Sequence, residues 1–264
     1  MRVPRLASAA SALILTSFLT LSGAGSAHSA GPGYVALGDS YAAGLGAGAY
    51  DAASGDCKRS TRAYAALWAA RHKPASFTST ACSGATTGGV VSQQLAPITA
   101  ATGLVSITVG GNDAGFGDVM TTCLLHSESG CLNRVARART FVDRSLPGLL
   151  DRVYDAIAAK GRNARVVVVG YPHFYQVPGN CVIGLSAASR RAINAAADDL
   201  DGVIAKRAAD HGFTFADVRG SFRGHGLCTS KPWLHGPTLP PEESYHPTAA
   251  GQADGYLPPF ESAA

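Results

Sequence analysis

Charge is scarce in this 264-residue chain: Asp, Glu, Lys and Arg together make up 15%, and only five of the 22 basic residues are lysine. The formal net charge of +4 falls to +2 over residues 31–264, where 20 basic residues face 18 acidic ones. That is too little for the basic footprint of a nucleic-acid binder. Collagen-like repeats, internal repeats and polar linkers are missing, which excludes fibrous and disordered classes. No apolar run reaches the ~20 residues of a spanning helix. Metal-site signatures such as paired CxxC or HExxH are absent too. With two tryptophans, Trp68 and Trp233, there is no aromatic comb for sugars.

An apolar content of 46% with 31 glycines describes a globular protein. Residues 1–30 read as an export signal: Arg2 and Arg5 form a basic head, Ala7 to Leu21 an apolar stretch, and Gly23 to Ala30 a run of small residues suited to cleavage. The mature domain is then residues 31–264, secreted and extracellular, without stable membrane anchoring. It keeps Cys57, Cys82, Cys123, Cys131, Cys181 and Cys228, an even number that in an exported chain implies disulfides. Spacing favours Cys123–Cys131 across a short polar loop. Cys57–Cys82 and Cys181–Cys228 are expected for the rest, each tying loops on one side of the fold.

Short β-rich runs alternate with helical ones. Tyr34 to Gly38, Phe77 to Ala81, Val105 to Val109, Val166 to Gly170 and Phe213 to Asp217 are the strand candidates, and Val166-Val167-Val168-Val169 is the uninterrupted type of a doubly covered parallel strand. Arg62 to Arg71, Val90 to Leu95, Arg134 to Ala159 and Ala187 to His211 read as helical. Pro147 marks a fresh first turn in the third of these, and Ser186 and Gly212 bracket the fourth as N-cap and C′ stop. The alternation predicts an α/β fold, a single three-layer α/β/α sandwich with a mostly parallel five-stranded sheet. Ligands of such sheets bind outside the carboxyl ends of the strands.

The loops at those ends read Gly38-Asp39-Ser40-Tyr41, Ala81-Cys82-Ser83-Gly84-Ala85-Thr86 and Gly110-Gly111-Asn112-Asp113, with Ser244-Tyr245-His246-Pro247 near the C-terminus. Each is weak alone, since glycine, serine and asparagine are ordinary turn residues. Together and in this order they resemble the four blocks of the SGNH (GDSL) hydrolase family, and within it small exported actinobacterial lipases and esterases. GxSxG is absent, so Ser40 does not sit on the nucleophile elbow of the α/β-hydrolases.

Ester hydrolysis needs a nucleophile, a base and donors aimed at the developing oxyanion. The resemblance implies that Ser40 supplies the hydroxyl and His246 the base. The backbone N–H groups of Ser40 and Gly84 and the Asn112 amide would form the oxyanion hole. Gly84 would let its N–H approach where a Cβ could obstruct, and Gly110-Gly111 would turn the chain sharply so that Asn112 points back. Asp39 is read as tying down the turn rather than reacting. Relatives commonly place an aspartate three residues before the histidine, whereas this chain has Glu243. Two acceptors for the second imidazole nitrogen therefore remain open, the Glu243 carboxylate or a backbone carbonyl of Glu243 or Ser244.

Gly44 to Ala49 loosely fits a dinucleotide signature, but Ser40 separates it from the strand, and a flexible loop beside an acyl pocket is the expected use. His225, His235 and His246 are too irregularly spaced for a metal trio. The expectation is a monomeric carboxylic ester hydrolase of acyl esters, triacylglycerols included, with phospholipid A1 hydrolysis as an extension and neither cofactor nor metal. Its partner is an ester or lipid substrate, with no nucleic acid. Deacetylation of extracellular polysaccharide is the alternative within hydrolases, and an extracellular binding module the alternative outside them.

Overall fold

The computed structural model describes residues 1, 32–178, 181 and 184–264. Apart from Met1, the export signal expected at residues 1–30 lies outside the described residues. Five strands form one sheet: β1 (Gly33–Gly38), β2 (Phe77–Ser79), β3 (Thr102–Thr108), β4 (Arg165–Val169) and β5 (Thr214–Ala216), in the order β2-β1-β3-β4-β5 with every neighbouring pair parallel. All six residues of β1 and all four valines of β4 are buried, as strands covered on both faces require. The edge strands β2 and β5 are short and partly exposed, which limits what they offer to another chain.

Among the described residues, eight α-helices surround the sheet: α1 (Ser40–Ala43), α2 (Tyr64–His72), α3 (Thr87–Gln93), α4 (Phe116–Leu125), α5 (Glu128–Arg144), α6 (Leu146–Lys160), α7 (Ala187–Asp210) and α8 (Leu257–Ala263). Parallel strands need right-handed crossovers. In this strand order, α2 must then lie on one face and the helices after β2, β3 and β4 on the other. The contacts agree: α2 packs on α8, while α3 and α7 both pack on α6.

The element boundaries differ from the sequence reading where tertiary contacts decide. The helical run from Arg134 to Ala159 is two helices broken at Ser145, with Pro147 in the first turn of α6 as its place in the sequence implied, whereas α5 begins earlier than expected, under a Ser127 cap that accepts from the Gly130 N–H. Helix α4 opens at Gly115 (φ 77°) without a side-chain cap, and α8 carries Pro258 and Pro259 in its first turn. Neither has a capping side chain, although the prolines of α8 are first-turn residues of the kind Pro147 is in α6. Ser186 caps α7 by accepting from the Ser189 N–H, and Gly212 follows that helix at φ 71°. Disulfides join Cys57 to Cys82, Cys123 to Cys131 across α4 and α5, and Cys181 to Cys228.

The strand order reverses between β1 and β3, so the crevice at their carboxyl ends is the topological switch point. Gly38 ends β1 there at φ 122°, and a Cβ on it would lie 2.3 Å from the Thr108 carbonyl oxygen, so only glycine lets the two strand ends meet. Its backbone is held by Gln94, which is buried. The Gly38 N–H donates to Gln94 Oε1 (2.7 Å) and Gln94 Nε2 donates back to the Gly38 carbonyl (2.9 Å). Gln94→Leu strands the Gly38 N–H without an acceptor, and an unsatisfied buried donor costs about 1–3 kcal/mol. Urea denaturation of this variant is expected to show a loss in that range with an unchanged m-value.

Candidate active site

Asp39 follows β1 as the N-cap of α1, its Oδ1 accepting from the Tyr41 N–H (2.9 Å). That cap sets Ser40 at the first position of the helix, at the carboxyl edge of the sheet. The hydroxyl of Ser40 lies 2.7 Å from Nε2 of His246, a residue 206 positions later in the chain. Nδ1 of the same ring is 3.0 Å from the Ser244 carbonyl oxygen. A carbonyl can only accept, so Nδ1 carries the proton and donates, and Nε2 is left to accept from Ser40. This choice between the acceptors left open by the sequence has a local cause. Glu243 ends a short 3₁₀ turn (Pro241–Glu243) and its Oε1 accepts from the Tyr50 hydroxyl at 2.6 Å. Tyr245 adopts φ 66°, which bends the chain so that Ser244 O turns back to the ring two residues on.

Both partners are buried, Ser40 at 6% and His246 at 8% exposure. Tyr41 lies against the imidazole with ring centroids 5.0 Å apart, and Phe116 meets it edge-on. Burial disfavours the charged form, and the nearby His235 adds repulsion, while the bond to Ser244 works in the opposite sense. The net result pushes His246 down to about 4. The ring is therefore neutral across physiological pH, as a base must be.

The other two blocks arrive from β2 and β3. The Asn112 amide Nδ2 donates to the Ala85 carbonyl (2.9 Å), which ties the asparagine loop to the residue after Gly84 and leaves Asn112 a second N–H. Asp113 fastens the same two loops by accepting from the N–H and hydroxyl of Thr87. Among the described residues, neither the Ser40 N–H nor the Gly84 N–H has a protein acceptor. Gly84 holds φ 79°, yet a Cβ there would meet nothing within 4 Å. Its left-handed backbone alone favours glycine there. Cys57–Cys82 supports this loop, and the Ser83 N–H donates to the Cys57 carbonyl (3.1 Å).

The expectation of a flexible loop at Gly44 to Ala49 is corrected. Residues 44–47 are buried, and a Cβ on Gly46 would come within 2.8 Å of the Pro247 carbonyl oxygen and 3.1 Å of His246 Cβ. His235 Nε2 donates to the Gly46 carbonyl (2.8 Å). This segment is packing beneath the histidine loop. His225 instead bonds the Lys231 carbonyl, and among the described residues no His, Cys, Asp or Glu group could hold a metal ion.

Ser40 and Asn112 line a cavity enclosing about 670 Å³ of space, part of it open to solvent. Its walls are Phe116, Val119 and Met120 of α4, Ala138 and Val142 of α5, and Ile193, Ala196, Ala197 and Leu200 of α7, with Tyr171 and Phe174 after β4. Trp68 and Trp233 are not among them; Trp68 packs on Tyr34 and Phe260, Trp233 on Phe222 and His225. The apolar wall has no local sequence motif, because α4, α5 and α7 contribute it jointly. Tyr171 and Tyr50 likewise lie outside the four blocks. The rule that pointed to strand-end loops applied equally to Gly170-Tyr171 after β4.

A hydroxyl on a neutral buried imidazole, with unclaimed N–H donors from neighbouring loops and an apolar cavity alongside, is the equipment of a serine-dependent ester hydrolase carried on an all-parallel α/β sheet. The chain belongs to the GDSL-like lipase/acylhydrolase family, whose profile matches residues 36–253, and it is a carboxylic ester hydrolase. It is 59% identical to a lipase of Streptomyces rimosus over the full length of both chains. The crystal structure of an extracellular lipase from that organism superposes with a TM-score of 0.87 at 60% identity, covering 88% of this chain and 100% of that one. That of phospholipase A1 from Streptomyces albidoflavus also gives 0.87, at 56% identity, with 89% and 100% covered.

With His246 as the base, its protonated ring cannot accept the serine proton, and kcat/KM is expected to fall as pH drops through its pKa. With the ring pushed down to about 4, the acid limb is expected to be centred near that pH, with the plateau reached by about pH 6. A stopped assay on a soluble ester over pH 3.5–8, with folding checked by circular dichroism, measures this.

Proposed function

We propose that this chain is an extracellular lipase and esterase that hydrolyses acyl esters, triacylglycerols among them and phospholipids at the A1 position as a further target, through an acyl-enzyme on Ser40. The observation that carries this reading is the Ser40–His246 pair at an apolar cavity. As Ser40 Oγ attacks the ester carbonyl, its proton passes to Nε2 of His246. The oxygen that becomes negative takes hydrogen bonds from the N–H groups of Ser40 and Gly84 and from the free N–H of Asn112. The imidazolium then protonates the leaving alcohol, and the acyl group stays on Ser40. Water follows the same route: His246 takes its proton, the acid departs, and Ser40 recovers its hydrogen. Throughout, Nδ1–H remains on the Ser244 carbonyl, giving a dyad with a backbone orienter.

Export is supported by the three disulfides and by residues 1–30, which we read as a cleaved signal. Among the described residues no helix is long and apolar enough to cross a membrane.

The cavity supplies the specificity. A buried methylene contributes about 0.8 kcal/mol, which is about fourfold in rate. Across nitrophenyl esters, kcat/KM is expected to climb by up to about that factor per methylene from acetyl until the cavity is full. Ala197→Phe, which fills the cavity from α7, should lower activity on long acyl esters at least tenfold while leaving the acetyl ester within threefold. Ser40→Ala should abolish both. A flat profile, or an active Ser40→Ala, would overturn the reading.

A further inference from the structure

Tyr171 stands one residue beyond Gly170 at the end of β4, on a loop that carries none of the four blocks. Its hydroxyl nevertheless joins two of them. It donates to Asp39 Oδ2 (2.5 Å) and accepts from the Gly111 N–H (3.1 Å). Asp39 is the residue before Ser40, and its other oxygen caps α1; Gly111 is the residue before Asn112. One oxygen atom thus ties the turn that presents the serine to the turn that presents the asparagine.

The surroundings are built to hold that oxygen in place. The Tyr171 N–H donates to Asp201 Oδ1 (2.9 Å), and Asp201 is fully buried within α7. Gly170 makes room for that carboxyl, since a Cβ there would lie 2.7 Å from Asp201 Oδ2. Gly111 makes room for the phenol, since a Cβ there would lie 3.3 Å from both Cζ and Oη of Tyr171. The Tyr171 ring meets Tyr41 edge-on at 5.1 Å, and the Tyr41 hydroxyl donates to the Tyr245 carbonyl (2.7 Å), next to His246. Two glycines, a buried acid and an aromatic contact therefore converge on a side chain that the ester-cleaving steps do not use.

We propose that the Tyr171 hydroxyl is a positioning group for ester hydrolysis. It fixes the separation of the Ser40 turn and the Asn112 loop so that N–H donors from two strands meet one oxyanion, and this rests on the hydrolase reading above. Oxyanion-hole donors act only at about 2.7–3.1 Å, so loops on separate strands need a common reference. Burial raises Asp39 to about 7 and Asp201 to about 8, and holds the Tyr171 phenol well above its ordinary value. The phenol therefore keeps its proton, and above about pH 7 it donates that proton to an ionised Asp39.

Tyr171→Phe keeps the ring, and with it the cavity wall, and removes only the tie. The expected result is a 10- to 100-fold fall in kcat on a short nitrophenyl ester, KM within threefold, the same order of preference along the acyl series, and continued labelling of Ser40 by a fluorophosphonate. A role in packing alone would lower the melting temperature and leave kcat per folded molecule unchanged. Asp201→Leu should reproduce the fall in kcat, and Asp201→Asn, the neutral isostere of the protonated acid, should restore most of it. A kcat within twofold of wild type in folded Tyr171→Phe overturns the proposal. If that variant does not fold, equal kcat values in Asp201→Leu and wild type overturn it instead. An inactive wild type removes the hydrolase reading itself, whereas an active wild type with an unimpaired Tyr171→Phe removes the positioning role alone.

Discussion

The hydrogen bond between Ser40 and His246 spans 206 positions of sequence in 2.7 Å, and much of the surrounding architecture bears on it. The serine is fixed from one side by the end of β1, where Gly38 lies flush against β3 and Gln94 holds its backbone. The histidine is fixed from the other by a loop that is tied back to the first helix. Tyr41 donates to Tyr245, and Gln252 Nε2 donates to the Tyr41 carbonyl (3.0 Å) while its Oε1 accepts from the Tyr64 N–H (2.8 Å). Gln252 lies in a π-helical stretch (Gly251–Tyr256), an irregularity that recurs at functional sites. The pairing is long-range, and these ties, long-range themselves, give it a single geometry.

The imidazole is oriented without a carboxylate. A backbone carbonyl fixes the tautomer as well as a carboxylate does, but brings no full charge to stabilise the imidazolium. Burial has pushed the ring towards neutrality, so the protonated state depends on the oxyanion it pairs with during the reaction. The carboxylate that the sequence offered, Glu243, is committed to Tyr50, whose hydroxyl also accepts from the Gly46 N–H (2.9 Å). Glu243 thus braces the glycine segment under the histidine loop, a structural use that its place three residues before His246 does not reveal.

The sheet, its parallel sense and the four blocks were legible because each leaves a local signature. The valine run of β4 marks a doubly covered strand, and Ser40, Gly84, Asn112 and His246 fall in strand-end or terminal loops whose spacing survives translation into three dimensions. What escaped notice has no local code. Helix α4 lacks a capping side chain, so its start leaves no mark in the sequence. The cavity wall is assembled from three helices, and Tyr171 is an ordinary tyrosine until Asp39, Gly111 and Asp201 close around it. The mobility expected of Gly44 to Ala49 failed because a glycine-rich string does not say whether freedom or fit required the glycine. At Gly46 it was fit, in contact with Pro247 and His246.

The claim on which the account turns is that a backbone carbonyl, not Glu243, holds the catalytic imidazole. Steady-state kcat/KM of Glu243→Gln on a soluble nitrophenyl ester tests it directly, since glutamine can still accept from Tyr50 but carries no charge. The dyad account expects a loss of less than about tenfold. A loss approaching the ~10⁴ that follows when a triad carboxylate is neutralised would contradict it.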